Sequence, residues 1–315
     1  MNQIVTVITP GRHPASVDAM ASLHHHPRMS TSVLRLAPQT MPLALTRSGE
    51  GTESDTCRDG PGEPAHALDL ALWTLQPDAA GQPDLDAMRP HLSVNEWTRV
   101  TSFRDPRHAW SSAAARLLLR TMLSRFHGAD PLAWHFVTEP GGRPHVDMTR
   151  PPYPLTAETR PRFSLSHTVG LAACAVSLGP WPPGADLGVD AEWTGRPSVP
   201  AVPLARRFFH PDEAAALELV PRGPERQQLF MTLWTRKEAV LKALGLGIAN
   251  HLSLYACLGD PARVDGPADL IGDSARWHLA SEDASPSHRL SWAVRGPDGG
   301  GDFESPCPAV RVHRR

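Results

Sequence analysis

Residues 179–187 read GPWPPGADL, and no other stretch limits the fold as much. Proline fixes φ and carries no N–H, so neither a helix nor a central strand can run through this segment. The chain is therefore read as two halves, one on each side of the break. In both, helical and strand-like stretches mix without the strict strand–helix–strand order of a parallel sheet. That combination predicts an α+β fold.

Before the break, LDLALWTL (68–75) reads as a strand. LSVNEWTRVTSF (92–103) starts on a serine with a glutamate three residues on, the signature of a capped helix. A long helix follows over 107–128, rich in alanine and leucine and closed by Gly128. WHFVTEPGGRPHV reads as strand, turn, strand, and FSLSHTVGLAACAVSL as two strands around a tight turn at Thr168 to Gly170. After the break, LGVDAEW is a short strand. FFHPDEAAALELV sets Pro211 near the first helical position, with Asp212 and Glu213 in the first turn, where the helix dipole favours acids. LWTRKEAVLKALGLG (233–247) is an amphipathic helix with a glycine stop, and HLSLYACL, ARWHLAS and HRLSWAVRG read as strands.

The first 65 residues hold HHHP, SGEGTESD and RDGPGEP and show little apolar periodicity. Such a segment buries too little surface to offset chain ordering and is expected to be disordered. The His24-His25-His26 run is read as a solvated surface run rather than a metal site. The expected divisions are thus 1–65 as an extension, 66–180 and 181–298 as the two halves, and 299–315 as a loose tail.

Composition narrows the function classes. Of 315 residues, 41% are hydrophobic, enough for a sizeable core, and the formal net charge of -2 argues against general nucleic-acid binding. The four cysteines form no C-x-x-C pair and fit a reducing compartment. No apolar run reaches the roughly 18 residues of a membrane helix, and MNQIVTVITPGRHP lacks the basic start of a secretion signal. A soluble cytoplasmic monomer, bound to neither nucleic acid nor membrane, is expected.

Several residues carry chemistry. In the strand GVDAEW, Asp190 and Glu192 share a face while Val189 and Ala191 take the other. Two carboxylates side by side repel unless a cation lies between them, and Mg²⁺ is a hard cation suited to such oxygen ligands. Two solvated surface acids would give the same pattern. In the helix over 233–247, Trp234, Glu238 and Lys242 recur every fourth residue and drift only about 40° per step. Leu229, Phe230, Leu233, Leu241 and Leu244 form the neighbouring apolar stripe. An i,i+4 ion pair is the plain explanation of Glu238 and Lys242. FSLSHT puts Phe163, Leu165 and His167 on one strand face and Ser164 and Ser166 on the other. GGRPHV presents Arg143, whose planar fork suits phosphate.

The series G-R-P, F-S-L-S-H, G-V-D-A-E, R-R-F-F-x-x-x-E and W-x-x-K-E-A-x-x-K-x-x-G-x-G runs in that order. It resembles the 4′-phosphopantetheinyl transferases, of the long monomeric type that activates polyketide and nonribosomal peptide synthetases, over about residues 66–298. The resemblance implies a pseudo-dimer of two similar α+β halves with the active site between them. It implies transfer of the phosphopantetheine arm of coenzyme A to a serine of an apo acyl or peptidyl carrier protein, releasing adenosine 3′,5′-bisphosphate. Asp190, Glu192 and Glu238 would hold Mg²⁺; Glu238 and Lys242 would be catalytic. Coenzyme A would contact Arg99, Ser112, Arg143, Ser166, His167, Asp190, Glu238 and Lys242. Arg143 replaces the usual lysine, Glu96 falls where some relatives carry a basic residue, and Ser111-Ser112 replaces a basic and a hydroxyl residue. A catalytically inactive carrier-binding module and a Mg²⁺-dependent phosphohydrolase are the rival readings.

Overall fold

The computed structural model describes residues 68–77, 85–138, 142–195, 197–247, 251–297 and 310–314, so the expected extension at 1–65 lies outside them. Ahead of the proline break come β1 (Leu68–Leu75), α1 (Leu85–Met88), α2 (Val94–Thr101), α3 (Pro106–His127), β2 (Phe136–Thr138), β3 (Pro144–Val146), β4 (Phe163–Thr168) and β5 (Leu171–Ser177). Behind it come β6 (Asp186–Trp193), α4 (Ala201–Phe208), α5 (Pro211–Leu219), α6 (Pro224–Leu244), α7 (Ala268–Ile271), β7 (Trp277–Ser285), β8 (His288–Arg295) and β9 (Val310–Arg314).

Alternation along the strands builds layers. One sheet has the order β4-β5-β1-β9 and another β6-β8-β7, with β2 and β3 as a separate pair. Leu68, Leu70 and Leu72 of β1 and Leu171, Ala173 and Ala175 of β5 meet Leu187, Val189 and Ala191 of β6 and Leu290, Trp292 and Val294 of β8. These are alternate residues, so each sheet gives one apolar face to a shared core. The other face of the first sheet, with Ala71, Trp73, Cys174 and Val176, packs on Leu118, Leu119, Met122 and Leu123 of α3. The other face of the second, with Leu279 and Ala293, packs on Ala239, Val240 and Ala243 of α6. The layers are helix, sheet, sheet, helix, a mixed fold as the sequence predicted.

Local chemistry sets the helix ends. Ser93 and Glu96 form the predicted capping box of α2. Asp105 caps α3 and Gly128 closes it at φ 71°. α6 begins at Pro224 and stops at Gly245, left-handed at φ 70°, a conformation that glycine adopts without a Cβ clash. One glycine matters more. A Cβ on Gly188 of β6 would lie 1.9 Å from the Ala239 carbonyl oxygen of α6. Its absence lets the helix lie directly on the strand.

Three stretches differ from the sequence reading. α4 was not anticipated. HLSLYACL is no strand; among the described residues it makes one isolated bridge, Ala256 to Asp265. Its apolar side chains Leu252, Tyr255 and Cys257 pack on α6. Its backbone is satisfied by charged groups instead of a neighbouring strand: Lys237 donates to the Tyr255 carbonyl, and Glu213 accepts from the Cys257 N–H at 2.7 Å. Residues 310–314 form β9 where a loose tail was expected. Its valines join the shared core and its backbone pairs in parallel with β1.

Cys174 and Cys257 are buried free thiols, and no helix among the described residues is long and apolar enough to cross a membrane.

Candidate active site

Because α6 lies directly on β6, Glu238 and Lys242 come against Asp190 and Glu192. Asp190 is buried. Its Oδ1 accepts from Lys242 Nζ at 2.7 Å and from Ser166 Oγ at 2.9 Å. Its Oδ2 is also buried and meets no hydrogen-bond partner among the described residues. Glu238 is 8% exposed. Burial first, then repulsion from Asp190 and Glu192, pushes its carboxyl up to about 8, against the opposing pull of Lys242. A proton is thus retained at neutral pH unless more positive charge enters.

The donor set fits a hard divalent cation: three carboxylates around one locus, a buried carboxylate oxygen left unsatisfied, and a carboxyl held neutral only by repulsion. As placed, no three His, Cys, Asp or Glu side chains among the described residues close on a common point. The Lys242 ammonium is seated on Asp190 instead.

A second cluster, this time basic, faces the acids from the other half. His167, at the end of β4, is exposed on one side. The protein packed around the rest of its ring, with the charges of Lys242, Arg116, Arg99 and His108, pushes its imidazole down to about 4. Arg116 on α3 is lowered by burial, with Glu96 opposing and Arg99 and Arg120 adding to the shift. Arg99 is exposed on α2, and Ser112 is buried on α3.

His108 and Arg116 were missed by the sequence reading. A signal existed: His108, Ser112 and Arg116 recur every fourth residue on α3, as Trp234, Glu238 and Lys242 do on α6.

Two expected contacts are turned elsewhere. An Arg143 guanidinium nitrogen donates to the Ala243 carbonyl at 2.8 Å and to Asp186 at 3.2 Å, tying the turn before β3 to the end of α6. Ser166 is buried between β4 and β6. Trp234 stacks on Phe230 with ring centroids 6.2 Å apart. Glu96, unusual for its position, is explained locally: it caps α2 and receives the buried Arg120 at 2.8 Å.

A site of this kind, with acids from one half facing cations from the other, belongs to a group-transfer enzyme acting on a phosphorylated substrate. The family model described as the 4′-phosphopantetheinyl transferase superfamily matches residues 186–293. The chain is 34% identical over 184 residues to the 4′-phosphopantetheinyl transferase HetI of Nostoc sp., covering 58% of this chain and 71% of that one. It is 25% identical over 229 residues to a 4′-phosphopantetheinyl transferase of Bacillus subtilis, covering 72% and 92%. With the transferase Sfp of Bacillus subtilis strain 168 it shares 25% over 218 residues, covering 69% and 88%. The chain belongs to the 4′-phosphopantetheinyl transferase superfamily and is an enzyme of that class.

Proposed function

We propose that this enzyme moves the 4′-phosphopantetheine arm of coenzyme A onto a serine hydroxyl of an apo acyl or peptidyl carrier protein, releasing adenosine 3′,5′-bisphosphate. The observation that carries the reading is the meeting of Asp190, Glu238 and Lys242 at one buried locus, with an Asp190 oxygen left unpartnered.

Asp190, Glu192 and Glu238 would hold Mg²⁺, which supplies neutralisation of phosphate charge when bound. Lys242, on the same side of α6, stabilises the departing phosphate of the pyrophosphate. Glu238 receives the proton of the carrier serine. Arg99, His108, Arg116 and His167 bind the phosphates at the nucleotide end, and Ser112 lies on the same helix face. Arg143 and Ser166 support this arrangement from behind rather than touching the coenzyme. The basic residues precede the proline break and the acids follow it, which supports a pseudo-dimer of halves 66–180 and 181–298 with the site between them. One chain thus supplies the whole site, in keeping with a cytoplasmic monomer. An inactive carrier-binding module would have no need to keep the three acids and Lys242 together, and a phosphohydrolase leaves the long motif of α6 unexplained.

The test is to incubate the protein with coenzyme A, Mg²⁺ and apo carrier proteins of several types and weigh each carrier. A gain equal to one phosphopantetheine arm is the expected result. Carriers of every type left at their starting mass would overturn the proposal.

A further inference from the structure

β6 ends its sheet and has a backbone partner only in β8. Its outward N–H groups, on alternate residues, would be orphaned in a buried joint. They are not. Val189 N–H donates to Ser164 Oγ at 3.0 Å, Ala191 N–H to Ser166 Oγ at 3.1 Å and Trp193 N–H to Thr168 Oγ1 at 3.2 Å. The three hydroxyls sit at every second residue of β4, all on one face. The edges of the two sheets are thus joined by a row of side-chain oxygens.

The middle member differs from its neighbours. Ser166 accepts from the backbone and also donates its own proton to Asp190 Oδ1. A hydroxyl has one proton to give and lone pairs to spare, so both bonds are made at once. Asp190 Oδ1 is therefore held from two sides, by Ser166 and Lys242, while Oδ2 stays unpartnered. One strand further on, His288 Nε2 reaches the Val169 carbonyl at 2.8 Å and closes the end of the joint.

We propose that this hydroxyl row fixes the register between the two halves, and that Ser166 within it is a positioning residue that orients Asp190 for a divalent cation. The proposal rests on the reading of Asp190 as a cation-holding acid. Its specific content is that Ser164 and Ser166 do the same structural task, while only Ser166 reaches the acid.

The experiment compares Ser164→Ala with Ser166→Ala in the full chain, using Mn²⁺ titration followed by electron paramagnetic resonance and thermal melting. Both variants should melt at similarly lowered temperatures. Only Ser166→Ala should weaken Mn²⁺ binding, by about 10-fold, the scale expected when a group orienting a metal ligand is removed. Ser166→Thr, which keeps the hydroxyl, should restore it. Equal Mn²⁺ binding in the two alanine variants, whether tight, weak or absent, overturns the positioning role. A wild-type chain that binds Mn²⁺ but leaves every carrier unmodified would overturn the transfer reading instead, and the same pair of variants would still decide the role of Ser166.

Discussion

Glu238 and Lys242 stand one helical turn apart on α6, yet their surroundings treat their charges differently. Lys242 finds Asp190 at 2.7 Å, while Glu238 is buried near two other acids and tends to keep its proton. Glu238→Gln resembles that protonated form in shape and hydrogen-bonding capacity. The variant should abolish carrier modification while the melting temperature without divalent cations stays equal or rises. Carrier mass and thermal melting check the two halves of the prediction. A merely structural glutamate would lose stability and retain transfer. At this scale the residue types were legible in the sequence and their partners only in part. Asp190, Glu192, Glu238 and Lys242 stand out because strand and helix periods put them on single faces. Nothing local says that Arg143 will seek the end of α6, since its partners lie 43 and 100 positions away.

Among the elements, α6 on β6 is the contact that builds the site, and Gly188 is what permits it. Gly188→Ala places a methyl 1.9 Å from the Ala239 carbonyl oxygen, and backbone cannot yield cheaply. Overpacking of this kind costs about 3 kcal/mol. A clearly lower melting temperature is expected, together with reduced transfer in whatever protein still folds. The cap of α3 gives a pH prediction. Hydrogen bonds from the Arg107 side chain, then from its backbone N–H, lower Asp105 to about 2 from 3.8. The folded chain therefore releases this proton more readily than the unfolded one. The stabilisation is complete above about pH 4 and is lost as pH falls toward about 2. Melting curves between these limits should show a weaker pH dependence in Asp105→Asn than in the wild type. Helix and strand identities were legible where caps, glycines and period-two alternation agreed. HLSLYACL misled because alternating apolar residues also suit a loop whose backbone is satisfied by Lys237 and Glu213.

Across the whole molecule, two helix-backed sheets share one apolar core, and the last described strand fastens them. β9 pairs with β1 in one sheet, and Arg314 forms an ion pair with Glu282 of β7 in the other. Removing residues 310–315 exposes the apolar surface that Val310 and Val312 cover, about 2 kcal/mol for each fully buried valine and less for these half-buried ones. The melting temperature should fall by several degrees with carrier modification at low temperature retained, because β9 touches none of the site residues. Loss of activity at temperatures where the truncated chain is still folded would show that the strand also shapes the site.

The sequence by itself determined the class of fold, most element boundaries, the three acids with Lys242, and the family. All of these follow from short-range rules: periodicity, capping, proline breaks and ordered motifs. Only the tertiary structure decided that Ser166 faces Asp190, that Arg143 closes α6, that His108 and Arg116 join the basic cluster, and that residues 310–314 complete a sheet. A polar side chain bonds to whatever group lies about 3 Å away, and that neighbour is chosen by how the layers stack. FSLSH and GVDAE, 24 residues apart between Ser166 and Asp190, become one joint only when the two sheets meet.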